Sequence, residues 1–167
     1  MPEYFGKYRG TVVNNVDPMQ IGRLQVMVPD VMGVALSSWA MPCVPLAGIQ
    51  MGTFFVPLIG AGVWVEFEGG DPDYPIWSGG FWGSAAEVPA LALAGLPASP
   101  NIVMQTSGQN SIVVSDVPGT GGIMLKAAAG AMILINETGI TISNGQGATI
   151  MLNGPTVTIN QGALVVT

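Results

Sequence analysis

Few side chains in this sequence could carry out chemistry, and their types exclude the commonest mechanisms. The 167 residues include no histidine and one cysteine, Cys43. Without histidine the chain lacks the most frequent general base and metal ligand, and no Ser-His or Cys-His pair can form. A lone cysteine excludes an intrachain disulfide and a zinc site built on paired cysteines. Because no base could activate it, we expect Cys43 to be a small core residue.

Four carboxylates lie close together in the sequence, at Glu66, Glu68, Asp71 and Asp73. Such a group could bind a metal ion or act as an acid and base pair. However, Glu66 and Glu68 alternate with apolar residues, as on the polar face of a strand, and Asp71-Pro72 is a typical start of a turn. We therefore predict structural roles for all four, with no catalytic site, no metal site and no cofactor.

Four aromatic residues, Trp64, Trp77, Phe81 and Trp82, could form a surface on which bases or sugars stack. Ten acids against four bases give a net charge of −6, which opposes binding to a phosphate backbone. We expect these residues in a core or an interface, and no nucleic-acid partner. The alternative function is a stand-alone trimeric barrel that binds single-stranded nucleic acid or carbohydrate.

The elements that hold these residues are predicted to be strands. The chain is 49% hydrophobic and only 8% charged, with 24 glycines and 13 prolines. Its longest apolar stretch, residues 54–65, is interrupted by proline and glycine and is shorter than the roughly 20 residues of a membrane-spanning helix. This composition predicts an all-β protein. Its apolar excess indicates a surface covered by copies of itself or by partners.

Residues 1–84 show the alternation of a small barrel. Leu24, Val26 and Val28 share one side of a strand, as do Val63, Val65 and Phe67 of another. Further strands are predicted at residues 8–16, 52–56 and 74–82. Five short strands separated by turn signals favour a Greek-key barrel of the oligonucleotide/oligosaccharide-binding (OB) type.

Residues 85–100 are predicted to be a linker, whose alanines favour a short helix that its prolines break. Residues 101–167 instead repeat a short apolar core followed by Gly, Asn or Ser, about every seven to eleven residues. This repeat predicts a β-solenoid or an intertwined β-helix.

A rung of about eight residues, at roughly 3.3 Å per residue, is too short to enclose a core by itself. Three chains could close a prism with apolar side chains inside, so we infer a homotrimer. The residues expected in its core are Ile112, Val114, Ile123, Leu125, Ile133, Ile135, Ile140, Ile142, Ile150, Leu152, Val157 and Ile159.

The first half of the chain resembles a known family of barrels. The segments at residues 8–18, 22–29, 39–48 and 57–68 precede a turn built on Gly70, Asp71, Pro72 and Pro75. In order and spacing they resemble the barrel of VgrG-type spike proteins and phage baseplate assembly protein V. The glycine-rich rungs that follow are similar in style to the trimeric β-helix of that family.

This resemblance implies a mechanical role and no enzymatic activity. Such proteins form the central spike of contractile injection machines, in phage tails, type VI secretion and related extracellular or anchored systems. The trimer lies below a hub in the baseplate and pierces the target envelope when the sheath contracts, so membrane contact would be transient. The N-terminus has no apolar core of a signal peptide, so we expect assembly in the bacterial cytoplasm.

Two differences from better-known relatives suggest further partners. The first candidate strand begins by Tyr8, so we expect the hub to be a separate protein that binds the N-terminal barrel. Without histidine the chain cannot build the His-x-His metal tip of some phage spikes. Its end, Leu164, Val165, Val166 and Thr167, is apolar, and an open β end exposes unpaired backbone groups. We predict that a separate tip protein of the PAAR type docks there.

Overall fold

The computed structural model describes residues 2–166, except for the side chain of Val165. The chain divides into two compact units, residues 1–85 and 86–167. Both units consist mainly of strands, which confirms the all-β prediction. None of the helices in the described part of the chain is long and apolar enough to cross a membrane.

The first unit contains seven strands and one short helix. The strands are β1 (Tyr8–Asn14), β2 (Gln25–Met27), β3 (Met41–Pro42), β4 (Ala47–Gly48), β5 (Met51–Gly52), β6 (Gly62–Phe67) and β7 (Pro75–Phe81), and the helix is α1 (Pro29–Met32). Five of them form one sheet in the order β2-β1-β6-β7-β3, while β4 and β5 form a separate hairpin. Single 3-10 turns occur at Glu68–Gly70 and, at the boundary of the units, Ala85–Glu87.

The core of the first unit contains the side chains that the alternation predicted. Leu24, Val26, Val28, Val63 and Val65 are fully buried. The indole of Trp77 packs against them and donates a hydrogen bond of 3.0 Å to the carbonyl oxygen of Gly22. This closed apolar core and the strand order agree with the predicted OB-like barrel.

One predicted barrel strand is wrong. Residues 52–56 are not a strand; only Met51–Gly52 pairs, with Ala47–Gly48 in the small hairpin. The ladder ends where the amide of Thr53 donates to the carbonyl of Leu46. The next residues, Phe54 and Phe55, are exposed and lie outside any strand. Pro57, which has no amide proton to donate, precedes the turn into β6.

The connection between β1 and β2 is held by the buried carboxylate of Asp17. It accepts hydrogen bonds from the amides of Met19, Ile21 and Arg23 at 2.9 to 3.1 Å. It also pairs with the Arg23 guanidinium, whose Nη2 lies 2.7 Å away. The Arg23 contact, with these backbone donors and against the effect of burial, holds the pKa of the Asp17 carboxyl well below its usual range. Arg23 in turn lies over the ring of Trp39.

The second unit is one sheet. Its strands are β8 (Ile102–Gln105), β9 (Ser111–Ser115), β10 (Gly122–Lys126), β11 (Met132–Asn136), β12 (Gly139–Ser143), β13 (Thr149–Asn153), β14 (Thr156–Ile159) and β15 (Leu164–Val166). They are preceded by α2 (Ala90–Leu93) and include a 3-10 turn at Asn160–Gly162. The short apolar segments that repeat along residues 101–167 thus become strands. Each pairs antiparallel with the next in chain order.

Two corners of this sheet require glycine. Gly122 and Gly139 have φ of 128° and 132°, a backbone region that L side chains rarely adopt. A Cβ at Gly122 would also collide with the carbonyl oxygen of Ile135, and one at Gly139 with that of Leu152. Glycine therefore allows β10 and β12 to start directly against the neighbouring hairpin.

The two units differ sharply in how much they bury. Of the ten hydrophobic side chains that are buried among the described residues, nine belong to the barrel and one, Val113, to the sheet. The barrel thus has a core within one chain. The sheet has almost none, although its strands are just as apolar in sequence.

We expect Asp17→Asn to lower the thermal stability of the barrel by several degrees at pH 7, because the charged pair with Arg23 is lost. The folded pKa of Asp17 lies below the unfolded value of about 3.9. Its contribution is therefore complete above pH ~4 and is lost as the pH falls below that value. The difference between wild type and variant should shrink on acidification. Thermal melts followed by tryptophan fluorescence measure this, because all four tryptophans lie in the barrel.

The matched control for this change is Glu66→Gln. Glu66 pairs with Lys7 at 3.1 Å, but both side chains are substantially exposed, and such pairs contribute little. A variant at Asp17 that melts like wild type at pH 7, or equal losses at Asp17 and Glu66, would contradict the stabilising role of the buried carboxylate.

Candidate assembly surfaces

Strand register places the apolar residues of the second unit in two continuous rows on one face of its sheet. We call this the two-row face. One row comprises Ile102, Val114, Ile123, Ile135, Ile140, Leu152, Val157 and Val166. The other comprises Met104, Ile112, Leu125, Ile133, Ile142, Ile150, Ile159 and Leu164. Residues two apart on a strand point to the same side, so both rows lie on one face.

All twelve residues that we predicted for a trimer core fall in these rows. In the structure they lie together with Ile102 and Met104, which are on the edge strand β8. These two residues follow the same alternation but are not among the twelve predicted residues. Within one chain this face is uncovered: thirteen of its sixteen side chains are exposed, from 37% at Ile133 to 71% at Ile102. Their role in a trimer stays a prediction.

The opposite face of the sheet is different in character. Its central row begins with Val103, Val113, Met124 and Leu134 and continues with threonine and methionine. Polar residues such as Ser111, paired with Lys126, flank this row. The two faces are therefore chemically distinct, and the two-row face is the one with β-branched and leucine side chains throughout most of its length.

Three of the predicted tip-docking residues, Leu164, Val165 and Val166, form β15, the last strand of the sheet. Leu164 and Val166 end the two apolar rows, and they are 53% and 56% exposed. The backbone of Val165 pairs with Thr158, but its side chain, and all of Thr167, lie outside the described residues. β15 has β14 as its neighbour on one side only in the sheet order. Docking of another protein here stays a prediction.

The turn of Gly70, Asp71, Pro72 and Pro75 joins β6 to β7 and anchors the N-terminal segment. The carbonyl of Gly70 accepts the amide of Tyr4 at 2.8 Å. Asp71 shapes the turn, because its carboxylate accepts the amide of Asp73 at 3.0 Å. Pro75 is fully buried at the start of β7. These contacts describe a structural turn at the barrel end where β6 finishes.

Of the nearby carboxylates, Glu66 pairs with Lys7. The hydrogen bond from Lys7, and then one from Ser78, lower the pKa of Glu66. Lys7 also donates to the hydroxyl of Ser78 at 2.8 Å, so it ties β6 to β7. Within residues 2–166, no three His, Cys, Asp or Glu side chains lie close enough together to hold a metal ion.

The four aromatic residues do not form one surface. Trp77 is buried, whereas Trp82 is 63% exposed. Trp64 and Phe81 contact each other with ring centroids 5.0 Å apart. The guanidinium of Arg9 lies over both rings, 5.7 and 5.5 Å from their centroids, so it occupies a position that a stacked base or sugar would need.

The expectation that Cys43 is a core residue is wrong. Its amide donates to the carbonyl of Trp77 and so extends the parallel β3–β7 pairing, but its side chain is exposed. The physical reason is the alternation of the strand: Cys43 falls on the same side as Met41, which is 47% exposed.

The structure shows an exposed apolar surface at one end of the barrel that the predicted strands do not indicate. Phe54, Phe55, Leu58 and Ile59 are between 57% and 70% exposed. Two of these residues, Phe54 and Phe55, fall within the barrel strand predicted at residues 52–56. The interruption of this stretch by Pro57 and Gly60 was the signal for a loop in the sequence.

Comparison with known families divides the chain at the same place as the fold. The family model described as the type VI secretion system/phage-baseplate injector OB domain matches residues 8–82. The model described as the phage baseplate V C-terminal trimerisation domain matches residues 101–165, which supports a homotrimer. No curated protein matched the sequence. Because the two family matches follow each other along the chain and span most of both units, the chain belongs to the phage baseplate V family of VgrG-like baseplate spike proteins.

Proposed function

We propose that this protein is the trimeric central spike of a contractile injection machine, of phage-tail, type VI or related extracellular or anchored type. It lies below the hub and pierces the target envelope when the sheath contracts. The carrying observation is the two-row face, because thirteen of its sixteen apolar side chains are exposed in one chain. Three copies would turn these faces inward and form an intertwined β-helix around a dry core.

The energetics favour such a trimer. Covering an aliphatic side chain completely contributes about 1.5–3 kcal/mol, and each chain offers two such side chains per strand. Backbone hydrogen bonds join every pair of neighbouring strands, and the two-row face extends along the same sheet. Bending the sheet would therefore break many contacts at once. A stiff rod of this kind can transmit force along its length.

The sparse charge of the second unit supports passage through a membrane. Asp116, Lys126 and Glu137 are the only charged residues after residue 89. An outer surface with few charges lowers the desolvation cost of entering a bilayer. A separate hub protein would bind the barrel. The alternative of a nucleic-acid or carbohydrate barrel has weaker support, because Arg9 covers the faces of Trp64 and Phe81.

We expect Ile142→Asp to prevent trimer formation. Ile142 lies in the middle of the two-row face, between Ile133 and Ile150, so each chain would place an unpaired carboxylate in the seam. Burying such a charge costs several kcal/mol. Size-exclusion chromatography with light scattering measures the oligomeric state.

The matched control is Thr141→Asp, one residue earlier and on the opposite face, between Leu134 and Met151. This variant should remain a trimer. A heat-stable trimer of Ile142→Asp, or equal disruption by both changes, would show that the two-row face does not line the core.

We also expect Val166→Asp to abolish binding of a PAAR-type tip protein. The trimer should persist, because Val166 ends its row and the other residues of the two-row face are unchanged, whereas Ile142 lies in the middle of that face. Val166 is the last described residue of its row and lies on the edge strand β15, so a charge there would oppose apolar docking. Co-purification of the tip protein with wild type and variant measures this, with Val166→Ile as the conservative control. A C-terminus that is free in the intact particle would contradict the tip proposal.

A further inference from the structure

One end of the barrel sheet is apolar, whereas the other end is acidic. Strand register defines these ends, because Gly62 of β6 pairs with both Thr11 of β1 and Phe81 of β7. The connections after β1 and before β6 therefore meet at one end. The turn between Phe67 and Pro75 and the N-terminal segment meet at the other.

The first of these ends is an apolar surface. We call it the apolar end and define it by Val16, Met19, Ile21, Phe54, Leu58 and Ile59. Their side chains are between 43% and 76% exposed. Exposed apolar groups in this number on one small barrel are typical of an interaction surface.

The two segments that form the apolar end are fixed against each other. The side-chain amide of Asn15 donates to the carbonyl of Pro57 at 2.9 Å. Gly22 lies next to the ring of Phe54, so that a Cβ at this position would be 3.4 Å from the ring. The carboxylate of Asp17 holds the rest of the loop through its contacts with backbone amides and Arg23. A surface that is already ordered loses little conformational entropy when it binds.

Charge distinguishes the two ends as contacts between identical copies. The opposite end carries Glu3, Glu68, Asp71 and Asp73, and a threefold contact there would bring like charges together. Near the apolar end, Asp17 and Arg23 pair with each other and are only 3% and 15% exposed, and the guanidinium of Arg9 lies over the rings of Trp64 and Phe81. Three apolar ends can therefore meet with less repulsion between like charges than three of the acidic ends.

The path of the chain tethers the apolar ends of a trimer to each other. β7 runs towards this end and finishes at Phe81, and Trp82, the next residue, is 63% exposed. From there the chain continues to the trimerisation unit. In a trimer, each apolar end is thus within a short linker of two others, which gives effective concentrations of the order of mM.

We propose that the apolar end is a contact between the barrels of three copies, so that the barrels form a threefold cluster of their own. The occupant of each apolar end is the apolar end of a second copy. This inference rests on the proposed trimer, but it concerns a surface separate from the two-row face.

Cysteine cross-linking of the full-length chain tests the contact. In a Cys43→Ser background, single cysteines are introduced at Val16, Phe54 or Ile59, and the trimers are treated with a short bismaleimide. We expect a covalent dimer from at least one of these variants, in a yield that does not fall on dilution. The controls, Glu68→Cys and Asp73→Cys, lie at the opposite end of the same barrels and should give several-fold less.

A second measurement does not depend on the distance between cysteines. Leu58→Asp should lower the melting temperature of the barrel in the trimer by several degrees, as followed by tryptophan fluorescence. Tyr74→Asp is the matched control, since Tyr74 is 61% exposed at the opposite end and Leu58 is 57% exposed.

The outcomes separate this proposal from the proposed function. A trimer with no preference for the apolar-end cysteines, and equal melting temperatures for the two aspartate variants, would overturn the barrel contact and leave the spike intact. Apolar-end cysteines that react freely in the trimer and become protected only in the particle would assign the surface to the hub instead. A monomeric wild-type chain would remove the trimer on which both proposals rest.

Discussion

Each strand of the C-terminal sheet places two apolar side chains on one face. Eight such strands form a continuous apolar surface, and its exposure to water is unfavourable. A sheet with one apolar face needs a second layer to cover it. The unit supplies no such layer from its own residues, since Val113 is its one buried hydrophobic side chain among those described. The match to a trimerisation domain supports copies of the same sheet as the covering that we propose.

The barrel meets the same requirement within one chain. Its sheet brings Val12, Leu24, Val63 and Val65 inward around Trp77, and its polar face remains in water. A barrel with its own core can serve as a rigid body in an assembly. The two units thus differ in whether the residues of one chain supply a core.

Most of the strands and the faces of their apolar side chains could be predicted from residue alternation, because the side chains of a strand point alternately to its two sides. Val63 and Val65, and Ile140 and Ile142, fall on the faces that their spacing indicated. The errors have two sources. Alternation does apply to Cys43, which follows β3 on the same side as the exposed Met41, but its predicted burial rested on the lack of an activating base. Phe54 lies in a loop because it finds no partner strand. The buried pair of Asp17 and Arg23 depends on a loop conformation that spacing does not encode.

The sequence by itself determined most of the strands, their apolar faces, the absence of histidine chemistry and the division into two units, since these follow from local periodicity and composition. The tertiary structure alone decided which strands are neighbours. That choice aligned apolar residues far apart in the chain, such as Ile102 and Val166, into the same row. It also brought Asn15 against Pro57 to build the apolar end of the barrel. Strand pairing joins residues distant in sequence, so a continuous surface exists only once the register between strands is set.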